Sequence, residues 1–320
     1  MLNKKFPKMF IRSKTDFSHH ISQPGFTQKE ALNLINKVRD NFDGYWKDSG
    51  SSDALKGKYV RNASKSLLGA LLHKIDKKIL KPFDSTLPKI FFGGVGGSNH
   101  KKAVEYLLLR KRGRVLIKLD LRRFFEQISA ERVQNFFQHK CGCNYKGAKM
   151  LVDICCVPVG PKGSGDPRRT IARGFATSPR LAVWCNLDTF IKLERFITEK
   201  LQRNNPRIAI FVDDIGISAS KISVEEMKKL LPELERILKS DPFQQLELNK
   251  NKVSVVSQKT GRVEHLGIAV QGNKFFVGSK TRNKINRIRA NLRKAKLPEQ
   301  ATLKDKLLNL NKYKKYIELR

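Results

Sequence analysis

Negative charge is what this chain has least of. Against 65 Lys+Arg it carries 29 Asp+Glu, a formal net charge of +36 over 320 residues. A field of that sign attracts polyanions, and phosphate backbones bind it with strong salt dependence. The Lys and Arg residues are dispersed along the whole length, which excludes a single basic tail as the source and suggests an extended nucleic-acid track. Cysteine is also sparse and odd in number: Cys141, Cys143, Cys155, Cys156 and Cys185. An odd count in a chain read as cytosolic argues against a disulfide frame. "HKCGC" followed by "CC" leaves zinc open as an alternative, but the spacing matches none of the usual CxxC pairs. Cys155–Cys156 lie in the apolar run "LVDICCVPV", which favours core packing. No run approaches the roughly 20 apolar residues of a membrane span. The basic N-terminus "MLNKKFPKMFIRSK" has no apolar core of signal-peptide length, so a cytoplasmic protein with no membrane partner is expected. No internal repeat is visible.

What is present reads as alternating helices and strands. "TQKEALNLINKV" (27–38) opens with Thr27 and Glu30 in capping-box spacing and puts Ala31, Leu34, Ile35 and Val38 on one face. Residues 44–57 read as loop and 64–83 as helix. A glycine cluster (Gly93, Gly94, Gly96, Gly97) precedes a helix starting near Asn99. Such a turn is a weak phosphate signal, and equally a device for close backbone turning. "RVLIKLDLRRFFEQI" (114–128) starts as a strand that ends on Asp120, and Ser129 caps the helix after it. Residues 157–179, rich in Gly, Pro and Arg, read as the longest flexible stretch, with Ser178–Pro179 opening the next helix. Residues 223–240 form a capped helix kinked at Pro232. Residues 262–278 form a hairpin turning at Gly272–Asn273, and 279–320 are basic and helical. The order predicts an α+β fold with an antiparallel sheet backed by helices.

The chemistry concentrates in "RIAIFVDDIGIS" (207–218). An apolar strand reaches Asp213 and Asp214, then an apolar strand leaves them. Alone, the pair reads as an Asx-rich turn. Asp120, at the end of a second apolar strand, changes that reading. If the two strands pair, three carboxylates meet at one sheet edge, a hard-oxygen site suited to Mg²⁺. Two such ions can activate a hydroxyl and stabilise a leaving pyrophosphate.

"KLDLRRFF" (118–125), "ARGFATSP" (172–179), "FVDD" (211–214), "LELNKNKV" (246–253) and "EHLGIAV" (264–270) resemble, in order and spacing, the successive palm motifs of reverse transcriptases. The flavour is that of the bacterial retron, abortive-infection and phage-defence enzymes. The resemblance implies a right-hand polymerase: N-terminal helices and fingers over 1–114, a palm over 115–278 with a fingers-like insertion at 157–174, and a short thumb-like segment at 279–320. It implies that Asp120, Asp213 and the Leu121 carbonyl ligand two Mg²⁺ ions, for which Mn²⁺ can substitute, with Asp214 in support. Phe125 matches the steric gate that would select deoxynucleotides, though Phe124 and Phe125 also read as core aromatics. Arg173 and Gly174 would meet the incoming nucleotide. Lys252 would serve near the leaving pyrophosphate, against the plainer reading of a surface lysine. Leu266 and Gly267 would hold the primer end. Lys58, Arg61, Arg112 and Arg114 are candidates for the basic fingers residues. Two departures stand out: Arg173 in place of the usual Gln, where it could grip a phosphate, and Phe211 in place of the frequent Tyr.

The resemblance implies an RNA-directed DNA polymerase making cDNA from deoxynucleoside triphosphates on a dedicated non-coding RNA, in antiviral defence, with an effector protein or a second copy as further partner. Two alternatives stay open: template-independent or protein-primed DNA synthesis, and a catalytically silent RNA-binding scaffold.

Overall fold

The computed structural model describes residues 6, 8–109, 113–241 and 245–319. The chain divides into two compact units, each assembled from discontinuous segments. One comprises residues 98–120, 194–234 and 248–320. The other comprises residues 1–97, 121–193 and 235–247.

The first of these holds a four-stranded antiparallel sheet. Helix α1 (His100–Leu108), capped by the Asn99 side chain, precedes strand β1 (Val115–Asp120). Strands β2 (Arg207–Phe211) and β3 (Asp214–Ala219) form a hairpin, and β4 (Ser254–Ser257) completes the order β2-β3-β1-β4. α1 packs on β2 and β3, while the short helix Val224–Lys228 packs on β1 and β4. Both faces are therefore covered. That is why Leu116, Ile117, Ile208, Ile210, Ile215 and Ile217 are all buried, without strict alternation. The hairpin expected over 262–278 gains a third strand: β5 (Val263–His265), β6 (Ile268–Gln271) and β7 (Lys274–Val277). Leu266 and Gly267 link β5 to β6 with φ of 51° and 72°, the left-handed pair of a tight type I′-like turn. Helices α2 (Ser279–Leu292) and α3 (Leu297–Glu318) follow, and α3 packs on β7 with Ile317 fully buried.

Arg114, a candidate for a nucleic-acid contact by sequence, is fully buried here. Its Nε donates to Ser218 Oγ (3.0 Å), and its Nη2 donates to the carbonyls of Asn205 (2.7 Å) and Ser218 (2.9 Å). It ties β1 to β3 from inside. Arg114→Lys is expected to cost about 2 kcal/mol, because one ammonium cannot reproduce the fork. Equilibrium urea unfolding checks this.

In the second unit, Thr27 and Glu30 form the expected capping box on Gln28–Asp40. The segment 64–83 is helical in three successive forms: α-helical Leu67–Lys74, a wider turn over Ile75–Leu80 and a 3₁₀ stretch over Lys81–Thr86. The stretch read as flexible is partly ordered, since Cys156–Pro158 pairs antiparallel with Arg169–Ile171. The helix expected after a Ser178 cap instead includes Ser178 as its first residue, follows Thr177 with no side-chain cap, and has the Ser178 hydroxyl donating to the Ala172 carbonyl. It ends at Cys185, and Leu187–Lys200 begins after Asn186. Cys141, Cys143, Cys155 and Cys156 are buried, and burial pushes the Cys155 and Cys185 thiols up to about 12. Their burial fits the core-packing reading, and among the described residues these cysteines form no group of three or more metal-ligating side chains. Arg61 is also structural. It pairs with Asp48 and donates to the carbonyls of Pro158 and Gly160. Lys58 is exposed, and Arg112 lies outside the described residues. Among the described residues no helix is long and apolar enough to cross a membrane.

Candidate active site

The sheet brings two distant acids face to face. β1 and β3 run antiparallel with Asp120 directly opposite Asp214, and Asp214 also opposes Phe211 on β2. Asp213 occupies the two-residue turn with Val212. Val212 has φ of 60°, a conformation that a β-branched side chain strongly disfavours. Strain of this kind persists where the surroundings over-determine it, and here it sets the turn that carries Asp213.

Asp120, Asp213 and Asp214 line one cleft of about 650 Å³, together with Lys252, Leu266, Gly267, His100, Phe211, Lys280 and Tyr313. Burial, then the neighbouring Asp213 and Asp120 charges, push the Asp214 carboxyl up to about 7. Three acids gathered in a half-buried cleft repel one another, and this is the electrostatic state that a divalent cation relieves. Lys252 is the local counter-charge. Its Nζ donates to both Asp120 oxygens, at 3.0 and 2.8 Å, and Asn249 Nδ2 donates to Oδ1 at 3.2 Å. The bond to Asp120 raises the Lys252 pKa, and the lysine side chain remains largely exposed. With Lys252 seated on Asp120, no three carboxylates form a closed ligand cage among the described residues.

Leu266 and Gly267 reach this cleft through their turn. Sequence reasoning missed His100, Lys280 and Tyr313. His100 Nε2 and the Tyr313 hydroxyl lie 3.0 Å apart, and the His100 ring is edge-on to Phe211. Their only sequence signals were the helix start near Asn99 for His100 and the basic helical stretch 279–320, which the structure divides into α2 with Lys280 and α3 with Tyr313. Periodicity does not tell which residues of such helices meet a distant loop.

The remaining site residues belong to the other unit. Leu121, next to Asp120 in the chain, is buried there. Phe124 is fully buried and Phe125 is 8% exposed, so both rings belong to the core of this unit. Arg173 is engaged by Glu126 and lies over Phe125. Gly174 adopts φ of 101°, and a Cβ there would collide with the Arg61 backbone carbonyl. The glycine is therefore required by its own fold, a reason independent of any bound nucleotide. Gly174→Ala is expected to cost about 2 kcal/mol, measured as a shift in the urea midpoint at unchanged slope.

No family model matches the chain. Over 236 residues it is 25% identical to the Retron Ec48 reverse transcriptase of Escherichia coli, covering 71% of this chain and 52% of that protein. The chain is similar to a retron-type reverse transcriptase. It spans about half the length of this retron relative. Among solved structures, apo telomerase from Candida tropicalis, truncated from its C-terminal domain, aligns at 12% identity. That alignment covers 50% of this chain and 34% of the telomerase, with a TM-score of 0.33.

Proposed function

We propose that this chain is an RNA-directed DNA polymerase. The observation that carries the reading is the register of β1 and β3, which sets Asp120 opposite Asp214 beside Asp213 in one cleft. The retron relative supports the same chemistry. In this reading the four-stranded sheet serves as a palm, the N-terminal helices as fingers and α2–α3 as a thumb-like segment. Asp120, Asp213 and Asp214 would hold two divalent cations, with the Leu121 carbonyl as a further ligand. Mg²⁺ or Mn²⁺ would supply Lewis-acid stabilisation of the attacking and leaving oxygens. Lys252, kept protonated by Asp120, provides a positive charge and a proton for the leaving pyrophosphate. Leu266 and Gly267, at a tight turn, hold the primer end, and Phe125 screens the sugar of the deoxynucleoside triphosphate.

The net charge of +36 exceeds what a single primer–template duplex requires, which supports a dedicated structured RNA partner. A role in antiviral defence, with an effector protein as further partner, belongs to the same proposal. The test is primer extension by purified protein with Mg²⁺, deoxynucleotides and co-purifying RNA, followed by product sequencing. A cDNA complementary to the bound RNA is the expected product. A random or homopolymeric product would point to untemplated synthesis, and no product to a binding scaffold.

A further inference from the structure

Arg173 stands where reverse transcriptases usually carry a neutral Gln, and the structure supplies the compensation. A guanidinium in a largely buried pocket needs a counter-charge, because an unpaired charge there is costly. Glu126 provides it bidentately. Arg173 Nε donates to Oε1 at 3.1 Å and Nη2 donates to Oε2 at 3.1 Å, with the two side chains 18% and 20% exposed. The same guanidinium lies over the Phe125 ring, its Cζ 4.8 Å from the ring centroid. Phe125 also meets the buried Phe124, with ring centroids 6.0 Å apart and the rings tilted by 59°.

Both ends of this arrangement stand on pinned backbone. The Arg173 carbonyl accepts from the Arg61 amide at 2.6 Å, and Arg61 is itself anchored by Asp48. Glu126 lies in the short turn Phe124–Gln127, entered through Arg123 in a left-handed conformation (φ 48°). Arg123 Nη2 donates to the Gly57 carbonyl at 2.6 Å. The pocket that Glu126 and Arg173 line has room for only about one water. The Arg173 guanidinium is engaged there by Glu126 and by the Phe125 ring.

We propose that the Glu126–Arg173 pair is a clamp that immobilises Phe125, which makes both residues positioning residues for sugar selection. The inference rests on the gate reading of Phe125 proposed above. A ring discriminates against a 2′-hydroxyl only if it does not yield. Contact with the buried Phe124 and a charged, paired guanidinium over the ring together turn a rotatable side chain into a wall.

The experiment compares steady-state incorporation of deoxy- and ribonucleotides by wild type, Phe125→Ala, Glu126→Gln and Arg173→Gln, with thermal melts as a folding control. Arg173→Lys is added as the conservative variant. Glu126→Gln and Arg173→Gln are each expected to lower discrimination by about tenfold. The change should sit in a reduced KM for the ribonucleotide rather than in kcat, and Arg173→Lys should retain part of the discrimination. Because the two Gln variants remove opposite halves of the clamp, either one carries the test if the other does not fold. Relaxation in Phe125→Ala with none in the clamp variants would overturn the clamp and leave the gate standing. No relaxation in Phe125→Ala, or no incorporation by wild type, would overturn the gate reading and the clamp with it.

Discussion

Asp214→Asn is expected to reduce nucleotide incorporation on the order of 10³-fold or more while making the protein more stable. The two effects share one cause. Asp214 opposes Asp120 across the sheet and follows Asp213 in the chain, and burial plus those charges push its carboxyl up to about 7. The folded chain therefore carries a repulsion that the unfolded chain does not. An amide of the same shape removes that charge, with an expected gain of about 1–2 kcal/mol, discounted for the half-exposed setting. The gain belongs to metal-free protein, since a cation would offset the same repulsion. It also removes an anionic oxygen from the site, and an amide binds hard divalent cations poorly. Urea unfolding with chelator present and single-turnover primer extension are the two measurements. Turnover near the wild-type value would sink the site assignment. Loss of turnover accompanied by lower stability would mean that the residue is merely structural. The double variant Asp213→Ala with Asp214→Ala should be inactive and folded.

Stability should fall steeply between about pH 6.5 and pH 4, and His265 should account for roughly 2–3 kcal/mol of the loss. His265 ends β5, is 5% exposed, and its Nε2 has no hydrogen-bond partner. It packs beneath Gly216, where an added Cβ would come within 2.8 Å of Nε2. Burial first, and the Lys118 charge second, lower its pKa to about 4. The unfolded chain keeps an ordinary imidazole near 6.5. Between those values the unfolded state binds a proton that the fold refuses, so acid favours unfolding. Above about 6.5 both states are neutral and the term vanishes. His265→Gln, which does not titrate, should show a flatter stability profile from pH 7.5 to 4.5. The comparison uses the difference between the two profiles, because carboxylates titrate in both. Parallel profiles would exclude His265 as the cause.

Much of the local structure was legible because its causes are local. The Thr27–Glu30 box, the Asn99 and Ser129 caps and the Ser223–Glu226 box each act over three residues. The β2–β3 hairpin was legible because an apolar run interrupted by two acids has few other solutions. Breaks depending on tertiary partners were not legible. The helix after Thr177 stops at Cys185, with the Asn186 amide donating to the Ala182 carbonyl, and nothing in "RLAVWCNLDTF" announces it. The strand pair within 156–171 was hidden by Gly and Pro in its own loop. Arg114 and Arg61 looked like every other basic residue, and only their burial separates them from the surface.

The division of information follows the range of the forces. Spacing along the chain determined the element types, the basic character and the three acids worth watching, since propensity, capping and alternation are properties of neighbouring residues. Tertiary structure decided that Asp120 opposes Asp214, that Lys252 holds Asp120, that Glu126 answers Arg173, and that His100 and Tyr313 share the cleft. Those pairings join residues 47 to 213 positions apart. Burial and register select such partners, and neither can be read from a linear string.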